Sequence, residues 1–415
     1  MGGRSGDAQG HGIGRVSKDE PRKPATRLVE GGRRREWTGS VVNPPVWRGS
    51  THLYADSADL AKGRPNADGQ FYYGRRGSPT QWALAEALTA LEPGAHGTLL
   101  YPSGVAAIAG ALLGVLESGD ALLMTDNAYE PSRAMAKTLL APLGIETRFF
   151  DPLDVDGFAT LFDGRTKAVL LESPGSLSME VADLPALAAI TRDNGAVSLL
   201  DNTWASPLGF PALERGCDAS IMSLTKHVGG HSDLMMGSVA AGEALYRRIR
   251  VKSQALGQVV SPDDASLALR GLRTLGVRLE REAASALTIA EWLAGRPEVT
   301  HVLCPLLPGA PGHALWRRDF TGGCGLFSFV LAGRDPAARA RFIDALELFG
   351  IGYSWGGYES LVIPFDPGRA RSATAWPPAG WNPEDRLGIR LSIGLEDAGD
   401  LMGDLERGFA AMEAA

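Results

Sequence analysis

Residues 219–233 read ASIMSLTKHVGGHSD, and that stretch decides both an element and a site. The run from Ala219 to Leu224 is almost wholly apolar, as a strand buried on both faces of a parallel sheet must be. It ends on Thr225 and Lys226, and the Gly229-Gly230 pair breaks any continuation. A lysine at the end of a buried strand is poorly placed for water. Burial favours the neutral amine, and a neutral amine is a nucleophile toward a carbonyl, so Lys226 is the candidate catalytic residue rather than a surface charge.

The same rhythm extends toward the N-terminus. Short apolar runs at 98–101, 121–124, 167–171 and 197–200 alternate with helical segments such as 105–116, which is apolar all round and closed by Gly119. This alternation predicts a doubly wound α/β domain with helices on both faces of its sheet. Before it, Ser78-Pro79-Thr80-Gln81 has the form of a capping box and predicts a helix through about Leu91. After Pro262 the helical segments lengthen. The last one places Ala398, Leu401, Met402, Leu405, Phe409 and Met412 on one face, which predicts a smaller C-terminal α+β domain. The expected division is a mobile tail over 1–25, an arm over 26–76 lying on another surface, a ligand-binding domain over 77–270 and the C-terminal domain over 271–415.

Composition removes several function classes. The 415 residues carry a net charge of −7 with no basic run, which argues against a nucleic-acid partner. The lysines stand at 18, 23, 62, 137, 167, 226 and 252; none follows a glycine, so no Walker-type phosphate loop exists. Cys217, Cys304 and Cys324 are too few and too far apart for a disulfide framework or a CxxC zinc site. No stretch approaches 18 apolar residues, and residues 1–25 lack an apolar run, so a cytoplasmic protein with no membrane span is expected.

Ligands of open parallel sheets gather at the carboxyl ends of the strands. There the sequence offers Pro102-Ser103-Gly104-Val105 at a helix start, where free N–H groups suit a phosphate, although a plain loop-to-helix junction reads the same way. It also offers Asp201 after the run at 197–200, a position where an aspartate commonly just caps a turn. A strand-end lysine, a strand-end carboxylate and a phosphate-binding helix start are together the parts needed to hold pyridoxal 5'-phosphate. Zinc fits less well, because His227 and His231 flank two glycines and no glutamate follows His227. A serine-hydrolase elbow is also missing, since Gly230-His231-Ser232-Asp233-Leu234 lacks its second glycine.

From about Thr26 to the C-terminus the chain resembles the Cys/Met-metabolism group of fold-type-I pyridoxal-phosphate-dependent enzymes. The segments that carry the resemblance are FYYGRRG (71–77), TDNAYEP (125–131), ESPG (172–175), DNTW (201–204), SLTK (223–226), GHSD (230–233) and YSWGGYES (353–360). The resemblance implies a transferase-like α/β fold with a mostly parallel seven-stranded sheet. It implies that Lys226 holds the cofactor covalently, that Asp201 pairs with the ring nitrogen and that Tyr129 stacks on the ring and assists catalysis. Gly104, Val105, Ser223 and Thr225 would bind the phosphate, with Tyr73 and Arg75 reaching it from a neighbouring subunit. Arg390 would take the substrate α-carboxylate, Arg76 the distal end, and Tyr353, Ser354 and Trp355 would line the substrate site. A homotetramer built as a dimer of dimers, with shared active sites, is also implied.

Within the group, Tyr73-Gly74-Arg75-Arg76, Ser78-Pro79-Thr80 and Ser354-Trp355-Gly356-Gly357 resemble the β-lyase branch. That branch implies an amino-acid thioether substrate: α,β-elimination of L-cystathionine to L-homocysteine, pyruvate and ammonia, in methionine biosynthesis. The alternatives are a cysteine-conjugate or cystine β-lyase and a γ-eliminating sister enzyme. Leu224 and His227 depart from the small and aromatic residues more usual beside the lysine.

Overall fold

The computed structural model describes residues 22–64, 66–333 and 335–413. Most of the expected tail therefore lies outside the described residues, and its last two positions, Pro24 and Ala25, open a helix, Pro24–Glu30. Leu28 of that helix is buried in the main core, so the arm is anchored on the body of the chain.

Seven strands form the large sheet: β1 (Gly97–Tyr101), β2 (Ala121–Thr125), β3 (Glu146–Phe150), β4 (Thr166–Glu172), β5 (Val197–Asp201), β6 (Ala219–Ser223) and β7 (Gly237–Ala241). They lie in the order β1-β7-β6-β5-β4-β2-β3. All pairings are parallel except those of β7, which runs antiparallel to both β1 and β6. This is the mostly parallel seven-stranded sheet that the resemblance implies. Its strands are apolar on consecutive positions because the two faces feed different cores. Leu122, Met124, Leu170 and Leu199 pack on one side, whereas Leu123, Val169, Leu171 and Leu200 pack on the other.

Two strands escape the sequence pattern. β3 (ETRFF) is an edge strand with part-exposed polar positions, so it has no need of an apolar run. β7 (GSVAA) is fully buried but built of small residues, because a Cβ at Gly237 would stand 2.3 Å from the Ser103 carbonyl. Lys62 ends a short helix, Ser57–Lys62, and Lys167 falls inside β4.

The capping box forms: the Ser78 N–H donates to Gln81 Oε1 at 3.0 Å, and the helix runs Pro79–Leu91. The expected boundary at 270/271 falls within the helix Pro262–Arg273, which is followed by the 20-residue helix Leu275–Ala294. Beyond them β8 (Val299–Leu303), β9 (Leu326–Leu331), β10 (Gly350–Ile351), β11 (Leu361–Phe365) and β12 (Gly388–Ser392) make a second sheet ordered β10-β11-β12-β9-β8. The closing helix Ala398–Glu413 buries Leu401, Leu405 and Phe409, as its periodicity requires. Among the described residues no helix is long and apolar enough to cross a membrane.

Candidate active site

The parallel strands all end on one edge of the large sheet, and a cavity of about 150 Å³ opens there. Its wall takes Gly104 and Val105 from the helix that follows β1, Glu172 from the end of β4, Asp201 from the end of β5, and Ser223, Thr225 and Lys226 from the end of β6. Tyr129 closes one side and Trp355 the other. Seven residues named from the sequence for a cofactor thus converge on one hollow, though the motifs that supply them lie as much as 122 positions apart along the chain.

Lys226 is held by its surroundings. Its Nζ donates to Ser354 Oγ at 2.7 Å and lies 5.5 Å from the Trp355 ring centre. Burial, and then the Arg390 guanidinium, lower its pKa to about 8, with Asp201 pulling the other way. A substantial neutral fraction at physiological pH is what an amine nucleophile needs. Asp201 accepts from the Thr203 hydroxyl at 2.5 Å and from the Thr203 N–H at 3.1 Å, yet burial still pushes its carboxyl above the usual range. That carboxylate is short of a counter-charge, and a cationic ring nitrogen would supply one.

At the other end of the cavity the geometry suits a phosphate. Ser103 caps the helix Gly104–Val115 by accepting from the Ala106 N–H at 3.1 Å. A Cβ at Gly104 would meet the Ser223 side chain at 2.7 Å, so only glycine lets backbone N–H groups and the Ser223 hydroxyl face one point. The residues present therefore fit pyridoxal phosphate: an amine for its aldehyde, a carboxylate for its ring nitrogen and a helix start for its phosphate.

Arg390 lies on β12, the central strand of the second sheet, and is buried. Its Nη2 donates to the Ser354 carbonyl at 3.2 Å, and burial lowers its pKa to about 10, still cationic at neutral pH. Ser354 joins the two key side chains: its hydroxyl accepts from Lys226 while its carbonyl accepts from Arg390. Its φ of 91° is a left-handed conformation that costs a non-glycine residue about 1–3 kcal/mol. Tyr353 is 88% exposed, so it does not line the cavity within this chain.

Tyr73, Arg75 and Arg76 are not brought to this cavity either. Arg75 donates to the Gln254 carbonyl at 3.1 Å, and Arg76 lies 5.9 Å from the Tyr72 ring with its Nε and Nη1 unpartnered. Arg75 and Arg76 line a separate hollow with Tyr246 and Arg250.

Two carboxylates at the site carry no role read from the sequence. Glu172 accepts from the Tyr129 N–H at 2.6 Å, and burial together with Asp201 holds its carboxyl well above the usual range. Asp126 accepts from the N–H groups of Ser372, Ala373 and Thr374 and from Arg133, tying a C-terminal-domain loop to the segment that carries Tyr129. Both lie in segments quoted above, and strand-end position alone would have flagged Glu172. Among the described residues no group of His, Cys, Asp or Glu is arranged to hold a metal.

Residues 25–410 match the family described as Cys/Met metabolism PLP-dependent enzyme. The chain is 43% identical to cystathionine beta-lyase MetC of Escherichia coli K12 across 94% of its length and 98% of the relative. It is likewise 43% identical to cystathionine beta-lyase of Salmonella typhimurium LT2 across 93% and 98%. In structure it resembles cystathionine gamma synthase of Xanthomonas oryzae pv. oryzae, with a TM-score of 0.86 and 35% identity over 95% of this chain and 100% of that one.

Proposed function

The chain belongs to the Cys/Met metabolism family of pyridoxal-phosphate-dependent enzymes, and on that premise we propose that it is a carbon–sulfur β-lyase acting on L-cystathionine. The products are L-homocysteine, pyruvate and ammonia, and the reaction belongs to methionine biosynthesis. The observation that carries this reading is the Lys226–Ser354–Arg390 chain, which sets a proton-transferring amine beside a fork for an amino-acid carboxylate.

Arg390 offers two parallel N–H donors to the substrate α-carboxylate and so fixes the orientation of Cα. The bound cofactor supplies an electron sink for the pair left at Cα when its proton is removed. Lys226 takes that proton through Nζ, for which its lowered pKa suits it. The Cβ–S bond then breaks as the Cα–Cβ double bond forms, and Lys226 returns the proton to the departing sulfur. Tyr129, 38% exposed at the cavity mouth, is placed to take a proton from the incoming amine. Water hydrolyses the released enamine to pyruvate and ammonia.

Tyr73, Arg75 and Arg76 do not line their own cavity and are assigned to the site of a second copy, with the assembly a dimer of dimers in the cytoplasm. Incubation with L-cystathionine tests the chemistry. Pyruvate with homocysteine is the expected outcome, whereas 2-oxobutyrate with cysteine would make the chain a γ-lyase.

A further inference from the structure

His227 follows the cavity lysine in sequence, yet its ring turns away from the cavity into the interior. The side chain is 2% exposed, and neither ring nitrogen has a hydrogen-bond partner. Its Nδ1 faces Glu282 Oε2 at 3.5 Å, on the helix Leu275–Ala294, and Glu282 is wholly buried with no other partner for its oxygens. Arg278, one turn earlier on that helix, is also buried; its Nε and Nη2 donate to Thr274 and Gly271, its Nη1 has no hydrogen-bond partner, and its charge is felt by Glu282 without a direct contact between them. A histidine and a carboxylate withdrawn from water in this way have a large desolvation cost, which a role in packing alone does not explain.

The same imidazole also packs against the segment that carries Ser354. The Trp355 ring meets it edge-on with centroids 5.1 Å apart. Gly356 lies so close that a Cβ there would stand 2.7 Å from His227 Nδ1 and 3.0 Å from the His227 N, and its φ of 76° is itself left-handed. Residues 354–356 are thus bent twice through the left-handed region to lie against one ring. Glycine adopts such a φ freely, so the strain lies at Ser354, the residue that accepts from Lys226; the His227 ring backs this segment from one side, while Arg390 holds the Ser354 carbonyl and the Gly356 N–H donates to the Ser392 hydroxyl at 3.2 Å.

We propose that His227, fixed by Glu282, is a positioning residue: its ring braces Trp355 and Gly356 so that Ser354 keeps its strained conformation and aims Lys226 Nζ into the cavity. The inference rests on the lyase reading for what Lys226 does. The bracing itself can be read without any substrate.

The test uses the cofactor-loaded enzyme and follows its absorption against pH. A Ser354 oxygen accepting from the lysine nitrogen favours the protonated form, so its loss lowers the midpoint of the absorption change by about one unit. His227→Ala is expected to show that fall, with kcat down about tenfold or more and KM within about twofold. Ser354→Ala should lower the midpoint equally, and the double variant no further, because one acts through the other. His227→Phe, which restores a ring against Trp355, should bring the midpoint back. If His227→Ala does not fold, Gly356→Ala displaces the same segment from the other side and should show the same fall. A parental midpoint in a folded His227→Ala protein, or additive shifts in the double variant, would overturn the proposal. A wrong substrate assignment would change only the keto acid and leave these midpoints where they are.

Discussion

Glu172 and Asp201 are register partners at the last positions of the adjacent parallel strands β4 and β5, and both carboxyl groups line the cavity that holds Lys226. Two carboxyl groups so placed do not ionise together readily, and Glu172 is the one held well above its usual range. Glu172 is then the neutral member that fixes the Tyr129 backbone, and Asp201 the charged member proposed to pair with the cofactor's ring nitrogen. Glu172→Gln should keep kcat within about threefold, whereas Asp201→Asn should lower it by about a hundredfold to a thousandfold. Steady-state keto-acid release compares them, and equal damage from both would show that Glu172 acts as an anion.

Lys226 gives a pH prediction with a definite sign. Its pKa is lowered to about 8, so the neutral amine accumulates as pH rises through 8. The rate at which cofactor-free protein captures pyridoxal phosphate should climb from pH 6.5 to about 9 and then level off, as read from absorbance after rapid mixing. Lys226→Ala should bind the cofactor without covalent capture and lose about three or more orders of magnitude in elimination. Substantial turnover by that variant would sink the mechanism.

Arg390 is assigned a carboxylate through its planar fork. Arg390→Lys keeps the charge but loses the paired donors and the contact to the Ser354 carbonyl. A rise in KM of about tenfold or more is expected, equivalent to about 1.4 kcal/mol of lost binding. An unchanged KM for cystathionine would place the carboxylate elsewhere.

Asp126 ties the segment that carries Tyr129 to the loop at 372–374 and should make that tie sensitive to acid. Burial opposes its ionisation, but the N–H groups of Ala373 and Thr374 and the Arg133 side chain outweigh it and bring the pKa down to about 2. A depressed carboxylate stabilises the fold above its unfolded value near 4 and loses that contribution as pH falls through about 2. Asp126→Asn should therefore cost about 2–3 kcal/mol at pH 7, and the gap from the parent should close as pH falls from 5 toward 2. Denaturant midpoints across that range check both the size and the sign.

Much of this site is legible in the letters because its chemistry sits at strand ends. Lys226, Asp201 and Gly104 each follow a buried run, and a parallel sheet must bring such positions to one edge. The fold class follows from the same runs, since leucines at successive positions such as Leu122 and Leu123 suit only strands covered on both faces. Strand β7 is the counterexample. Its GSVAA has no strong strand signal because its size is set by the backbone of residue 103, which no local pattern encodes.

The sequence by itself determined the α/β class and the family and singled out Lys226 as the candidate amine, because buried-strand patterning and residue chemistry are local properties. Only the tertiary structure decided how that amine is held. Ser354 lies 128 positions from Lys226, Arg390 reaches Ser354 from a strand 36 positions further on, and the His227 ring turns inward to Glu282 while its neighbour points into the cavity. Each of those relationships joins segments that are far apart along the chain. A sequence names the partners of a long-range contact, but their distance and orientation exist only once the chain is folded.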